Sequence, residues 1–137
     1  MTISQIESME PVMNDQEATA FIEKAFKIWI NGTADQLSSI YDATIDANYF
    51  GHANLGFADI ENRFNFVRKN HKNIAFKLHD LVVHDNKIAF RSGYSAQTIE
   101  DEPVYTETMA IFHLNQQGRV QKIWSMTNTT VDFLAKA

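Results

Sequence analysis

Six residues of this chain carry groups that could do chemistry together, and all lie in stretches of β-type sequence: Tyr49, His79, Ser92, Tyr94, Thr108 and Ser125. An imidazole titrates near neutrality, so His79 is the candidate proton carrier. The Tyr94 hydroxyl is the candidate donor to a developing oxyanion. These two form the candidate catalytic pair. All six form the candidate ligand-binding set, a few hydroxyl and imidazole groups between apolar walls of Leu81, Phe90, Phe112 and Ile123, which suits a small apolar or aromatic molecule. The plainer reading stands beside it: a lone strand histidine is more often packed than catalytic, and strand-end Ser and Thr often meet only water. With no Cys, thiolate nucleophiles and Cys-based metal centres are excluded. His52, His71, His84 and His113 are read as scattered over loops, turns and an outer sheet face, so no metal site and no cofactor are expected.

The elements that position these residues follow from the hydrophobic period. From Ile74 the pattern alternates every two residues, and Asp85-Asn86 reads as a two-residue hairpin turn. Counting outward, Val83 faces Ile88, Leu81 faces Phe90, His79 faces Ser92 and Lys77 faces Tyr94, with Asp80 and Arg91 paired on the opposite face. A third run, residues 104–114, follows the acidic loop Glu100-Asp101-Glu102-Pro103. A turn at residues 115–118 leads to a fourth run, residues 119–128. That turn length sets Ala110 against Ile123, Thr108 against Ser125 and Thr106 against Thr127.

Helices precede the sheet. Asn14 with Glu17 reads as a capping box, and Phe21, Ala25, Ile28 and Trp29 recur at helical spacing until Asn31-Gly32. Thr33 with Gln36 opens a short second helix through Leu37, Ile40 and Tyr41. Residues 43–50 read as a first strand, closed by Gly51. Phe57, Ile60, Phe64 and Val67 give a third helix, with Arg63, Arg68 and Lys69 between them. Helices followed by an antiparallel sheet make an α+β domain of residues 14–137, after a loose N-terminal arm of residues 1–13. The uncovered sheet face would carry Phe76, Leu78, Met109, Ile111, Trp124 and Met126, more apolar surface than a soluble monomer usually exposes. A homodimer through that face is expected.

The order of elements, the phrase Asp80-Leu81-Val82-Val83-His84-Asp85-Asn86-Lys87-Ile88-Ala89-Phe90, and Gly118-Arg119-Val120 with Trp124 resemble the NTF2-like superfamily, in its SnoaL-like and ketosteroid-isomerase-like branch. The resemblance covers residues 14–134. It implies a cone: a strongly bent, mostly antiparallel sheet with the N-terminal helices in its concave face, a cavity at the open end, and a dimer formed on the sheet. The residues that carry catalysis in the relatives are missing. The isomerases' Tyr, Asp and protonated Asp match at or near Phe26, at Ala47 and at Ala110, none of which accepts a proton or donates to an enolate. Asp46 adjoins Ala47, and a one-residue slip would bring it inward. The epoxide hydrolases' Arg and two Asp match Ser92, Tyr94 and Ser125.

A formal charge of −5 with no Lys/Arg run gives no footprint for nucleic acid or an anionic membrane surface. The first residues lack a basic, apolar leader pattern, so a cytoplasmic protein is expected. Two functional readings emerge. One is a binding protein with a cavity for a small, mainly apolar ligand and without the superfamily's usual acids. The other is an isomerase, polyketide cyclase or dehydratase in which His79 moves a proton and Tyr94 holds an oxyanion.

Overall fold

A computed structural model describes residues 13–49 and 52–129. Most of the expected N-terminal arm, residues 1–12, the Gly51 strand end, and residues 130–137 lie outside the described residues; Met13 packs partly buried against the core.

Helix α1 (Asp15–Asn31) starts on the reciprocal cap read from the sequence: Asn14 Oδ1 accepts from the Glu17 amide at 2.8 Å, and Glu17 Oε1 accepts from the Asn14 amide at 3.1 Å. Its buried stripe is Ala18, Ile22, Ala25 and Ile28, flanked by the partly buried Phe21, Phe26 and Trp29. The second helix is shorter than expected, a 3-10 segment over Ala34–Ser39. Ile40 turns the chain and Tyr41 already opens strand β1 (Tyr41–Tyr49), where β-branched and aromatic residues fit better than in a helix. A short strand β2 (His52–Leu55) pairs antiparallel with β1; nothing in His-Ala-Asn-Leu marks it as β-type. Helix α2 (Phe57–Asn70) buries Ile60, Phe64 and Val67 as its spacing predicts. Then come β3 (His71–His84), β4 (Lys87–Thr98), β5 (Pro103–Leu114) and β6 (Val120–Thr129).

The six strands form one sheet in the order β2-β1-β6-β5-β4-β3, antiparallel except for the parallel β1–β6 pair. The fold is α+β, with both helices on one face: Ile22, Ala25, Ile60 and Phe64 share a core with the inward residues Ile88, Phe90, Ala110, Phe112 and Ile123. Among the described residues no helix is long and apolar enough to cross a membrane.

Two registers depart from the sequence reading. In the β3–β4 hairpin Val83 stands opposite Ile88, Leu81 opposite Phe90 and Asp80 opposite Arg91, as expected. At His79 β3 gains one residue, and the next pairs are Leu78–Ser92, Lys77–Gly93 and Phe76–Tyr94. A one-residue bulge exchanges the faces of everything beyond it. The expected His79–Ser92 and Lys77–Tyr94 pairs are therefore not formed, and Leu78 and Phe76 face the core.

The β5–β6 turn is longer than the four residues allowed for. It closes by Asn115 N–H donating to Arg119 O, with Asn115 Oδ1 accepting from the amides of Gln117 and Arg119, and Gly118 sits at φ +76°, where glycine carries no Cβ penalty. The turn adds one residue and an irregularity at Gln121, between the Leu114–Val120 and His113–Lys122 pairs, adds a second, so Ala110 stands opposite Ser125 and Thr108 opposite Thr127. The shift is of two residues, so each side chain keeps its face.

Candidate functional site

Between the helices and the inner sheet face lies a cavity of about 130 Å³, and eight of its eighteen lining residues are aromatic. Helix α1 supplies Ile22, Ala25, Phe26 and Trp29 to the wall, α2 supplies Arg63 and Val67, and the strands supply the rest. The aromatic packing is specific. Phe26 stacks on Phe76 with ring centroids 4.7 Å apart, Phe76 meets Tyr94 edge-on at 5.1 Å, and Phe90 meets Phe112 edge-on at 4.9 Å. The His79 bulge is what turns Phe76 into this box.

Hydroxyl groups cross the sheet wall as a ladder. Ser92 on β4 pairs with Thr108 on β5, and Thr108 with Thr127 on β6, where the two Oγ1 atoms are 2.9 Å apart. Tyr94 pairs with Thr106 one step along, and Ser125 faces Ala110. All of these except Ala110 present a polar atom, and all line the cavity.

At one part of the wall the tyrosines meet the cavity's cation. Arg63 lies over the Tyr49 ring, its Cζ 5.2 Å from the centroid. Burial raises the Tyr94 hydroxyl pKa above its ordinary value and Arg63 opposes that rise; Tyr49 is likewise raised by burial and by Tyr41, against Arg63. Tyr41 is pushed up to about 12 by burial, opposed by the Trp29 Nε1–H that donates to its oxygen at 3.0 Å. The Arg63 guanidinium is lowered from its usual value by burial, with Tyr49, Tyr41 and Tyr94 opposing, and it stays cationic at neutral pH. Behind Tyr94 stands His71, only 6% exposed, with Nδ1 2.6 Å from the tyrosine oxygen. Burial lowers the His71 pKa, which favours the neutral ring.

Of the residues singled out in the sequence, Tyr49, Ser92, Tyr94, Thr108 and Ser125 line this cavity. His79 does not. Its Nε2 would lie 3.0 Å from a Cβ on Gly93, whose position is outward because its neighbours Ser92 and Tyr94 point in, and 3.8 Å from Glu107 Oε1 on the outer face. That nitrogen is buried with no hydrogen-bond partner among the described residues. Glu107 Oε1 also receives Tyr105 Oη at 3.3 Å and Arg91 Nη1 at 3.5 Å, and Arg91 Nη2 reaches Asp80 at 3.0 Å. His79 is therefore not placed to carry a proton in this cavity, because a bulge puts its ring on the other side of the sheet.

His71, read as a loop residue, is instead buried at the junction of α2 and β3, where its amide donates to Val67 O. Arg63, read only as one of the charges between the apolar residues of that helix, lines the cavity. The signal for it was available: positions 60, 63, 64 and 67 are one helical face, and Arg63 is the charge within that apolar stripe. Phe26, Ala47 and Ala110 are inward and carry no acid, and Asp46 stands opposite Lys122 while Ala47 faces Ile123, so no slip brings that carboxylate inward. The outer apolar set loses Phe76 and Leu78 and keeps Met109, Ile111, Trp124 and Met126, all exposed. No group of three His, Cys, Asp or Glu among the described residues could hold a metal ion.

Among the described residues the site can supply hydroxyl donors, one guanidinium and aromatic walls, and none of those that line it is a carboxylate. No protein-family model and no curated protein matches the sequence. Solved structures do match its fold, which is the NTF2-like fold of SnoaL-like and ketosteroid isomerase-like proteins. AclR from Streptomyces galilaeus aligns with TM-score 0.75 at 12% identity over 90% of this chain and 85% of its own. A SnoaL-like polyketide cyclase from Agrobacterium tumefaciens aligns with TM-score 0.68 at 11% identity, over 88% and 98% of the two chains. A protein of ketosteroid isomerase-like fold from Catenulispora acidiphila, in complex with trimethylamine, gives TM-score 0.68 at 9% identity over 84% and 89%.

Proposed function

We propose that the protein is a cytoplasmic small-molecule binding protein whose cavity takes a small, mainly apolar ligand about one aromatic ring in size. The observation that carries this reading is the aromatic box itself, about 130 Å³ bounded by Phe26, Phe76, Phe90 and Tyr94, with no carboxylate among the described lining residues to act as base or acid. An engineered apolar cavity of about 150 Å³ is known to hold benzene, which sets the scale. Thermal unfolding with increasing indole tests it. A ligand at about one hundred times its dissociation constant stabilises by about 2.7 kcal/mol, and Ala110→Leu, which fills the box, should abolish the shift. An equal shift in both proteins would put the binding elsewhere.

A second reading keeps an isomerase, cyclase or dehydratase reaction, with Tyr94 as oxyanion donor and His71 in place of His79. The 2.6 Å contact between His71 Nδ1 and Tyr94 Oη favours it. His71→Gln would then remove turnover of an enone substrate while leaving the fold intact.

A second copy of the chain is the partner we propose for the outer sheet face. Met109, Ile111, Trp124 and Met126 are 65%, 42%, 41% and 79% exposed and adjoin across β5 and β6, an apolar patch that a two-fold axis through the sheet would cover on both copies at once.

A further inference from the structure

Tyr94 is held from behind. Its hydroxyl reaches His71 Nδ1 at 2.6 Å, while its ring lines the cavity and meets Phe76. When Nδ1 carries the imidazole proton, the nitrogen donates to the tyrosine oxygen and the phenolic hydrogen is left to point at an acceptor in the cavity. A neutral His71, which burial favours, can adopt that tautomer. Arg63 lines the same cavity over Tyr49, and a guanidinium has five N–H donors, so it serves a ligand as well as any neighbour. Its planar fork matches a carboxylate in two parallel hydrogen bonds. Among the described residues the wall around these donors contains no carboxylate that a ligand's negative charge would meet, and the rest of it is aromatic, aliphatic or hydroxylic.

We propose that the cavity takes an aromatic carboxylate, its ring in the Phe26–Phe76 box and its charged oxygens on Arg63 and Tyr94, with His71 as the residue that orients the Tyr94 hydroxyl. The proposal rests on the binding function above and adds the charge of the ligand. A phosphate would want more cations than the single one that lines this cavity among the described residues.

Isothermal titration of the full chain with benzoate and with benzamide, its neutral near-isostere, separates the two levels. Benzoate is expected to bind more tightly than benzamide by roughly 10- to 100-fold, the range of a hydrogen bond to a charged group. Arg63→Gln should bring the ratio close to one. Arg63→Lys, which keeps the charge and guards against a folding defect, should retain part of the preference. Tyr94→Phe should cut benzoate affinity several-fold, and His71→Asn should do the same with Tyr94 intact, which a purely structural role for His71 would not produce selectively. Equal binding of the two probes, or an unchanged ratio in Arg63→Gln, overturns the anionic ligand and leaves the binding function standing. Binding of neither overturns both.

Discussion

The His79 ring occupies the space that Gly93 leaves open on the outer sheet face: a Cβ on residue 93 would lie 3.0 Å from His79 Nε2 and 3.1 Å from Tyr105 Oη. The bulge and the glycine are therefore one arrangement, in which an extra residue in β3 is accommodated by a missing side chain in β4. Gly93→Ala should destabilise by about 1 kcal/mol, since both obstructing atoms must give way in a packed setting. In a His79→Ala background the same substitution should cost less, with a coupling of about 0.5 kcal/mol or more. Urea unfolding of the four proteins of this cycle gives the number.

His71 makes stability depend on pH in a stated direction. Burial holds its folded-state pKa below the ordinary 6.5. The unfolded chain therefore takes up a proton at higher pH than the folded one, so stability falls as pH drops below about 6.5 toward the folded value, and this contribution is constant above it. His71→Asn should flatten that part of a plot of unfolding free energy against pH. A wild-type plot that is level there would contradict the buried neutral ring.

Ala110→Leu probes the cavity without a ligand. In a filled core the three extra carbons typically cost about 1–3 kcal/mol. Here the Ala110 methyl faces the void, so the change should cost less than about 1 kcal/mol or stabilise, because the added carbons gain apolar contacts and fill empty space. A loss in Tm as large as that of Ala47→Leu, at a fully buried position outside the cavity lining, would mean that the void is not there in solution.

The sheet face gives the assembly prediction. Sedimentation should show two copies for the wild type and one for Met126→Asp, because a buried unpaired carboxylate opposes association strongly. A wild-type monomer would remove the second copy from the account.

Much of the fold was legible in the sequence because it rests on local rules. The Asn14–Glu17 cap, the Ile60-Phe64-Val67 spacing and the Asp85-Asn86 turn each act over a few residues, and all stand where they were read. What escaped depends on contacts remote in sequence. The bulge at His79 takes the room that Gly93 leaves on the neighbouring strand, so counting from the turn carried the wrong face beyond Asp80. His71 acquires its meaning only when β4 brings Tyr94 to it, twenty-three residues on. The hydroxyl ladder survived a two-residue error in the β5–β6 register, since an even shift preserves faces. Arg63 was visible as a charge inside an apolar stripe, and only the fold supplies the cavity that it lines.

The most direct test of the binding function is a crystal structure of the protein purified without added ligand, inspected between Trp29, Phe76, Tyr94 and Ser125. The account predicts non-protein density of about one ring in that space, with a polar atom within hydrogen-bond reach of Tyr94 Oη. A cavity closed by its own side chains, or holding only ordered water, would contradict it.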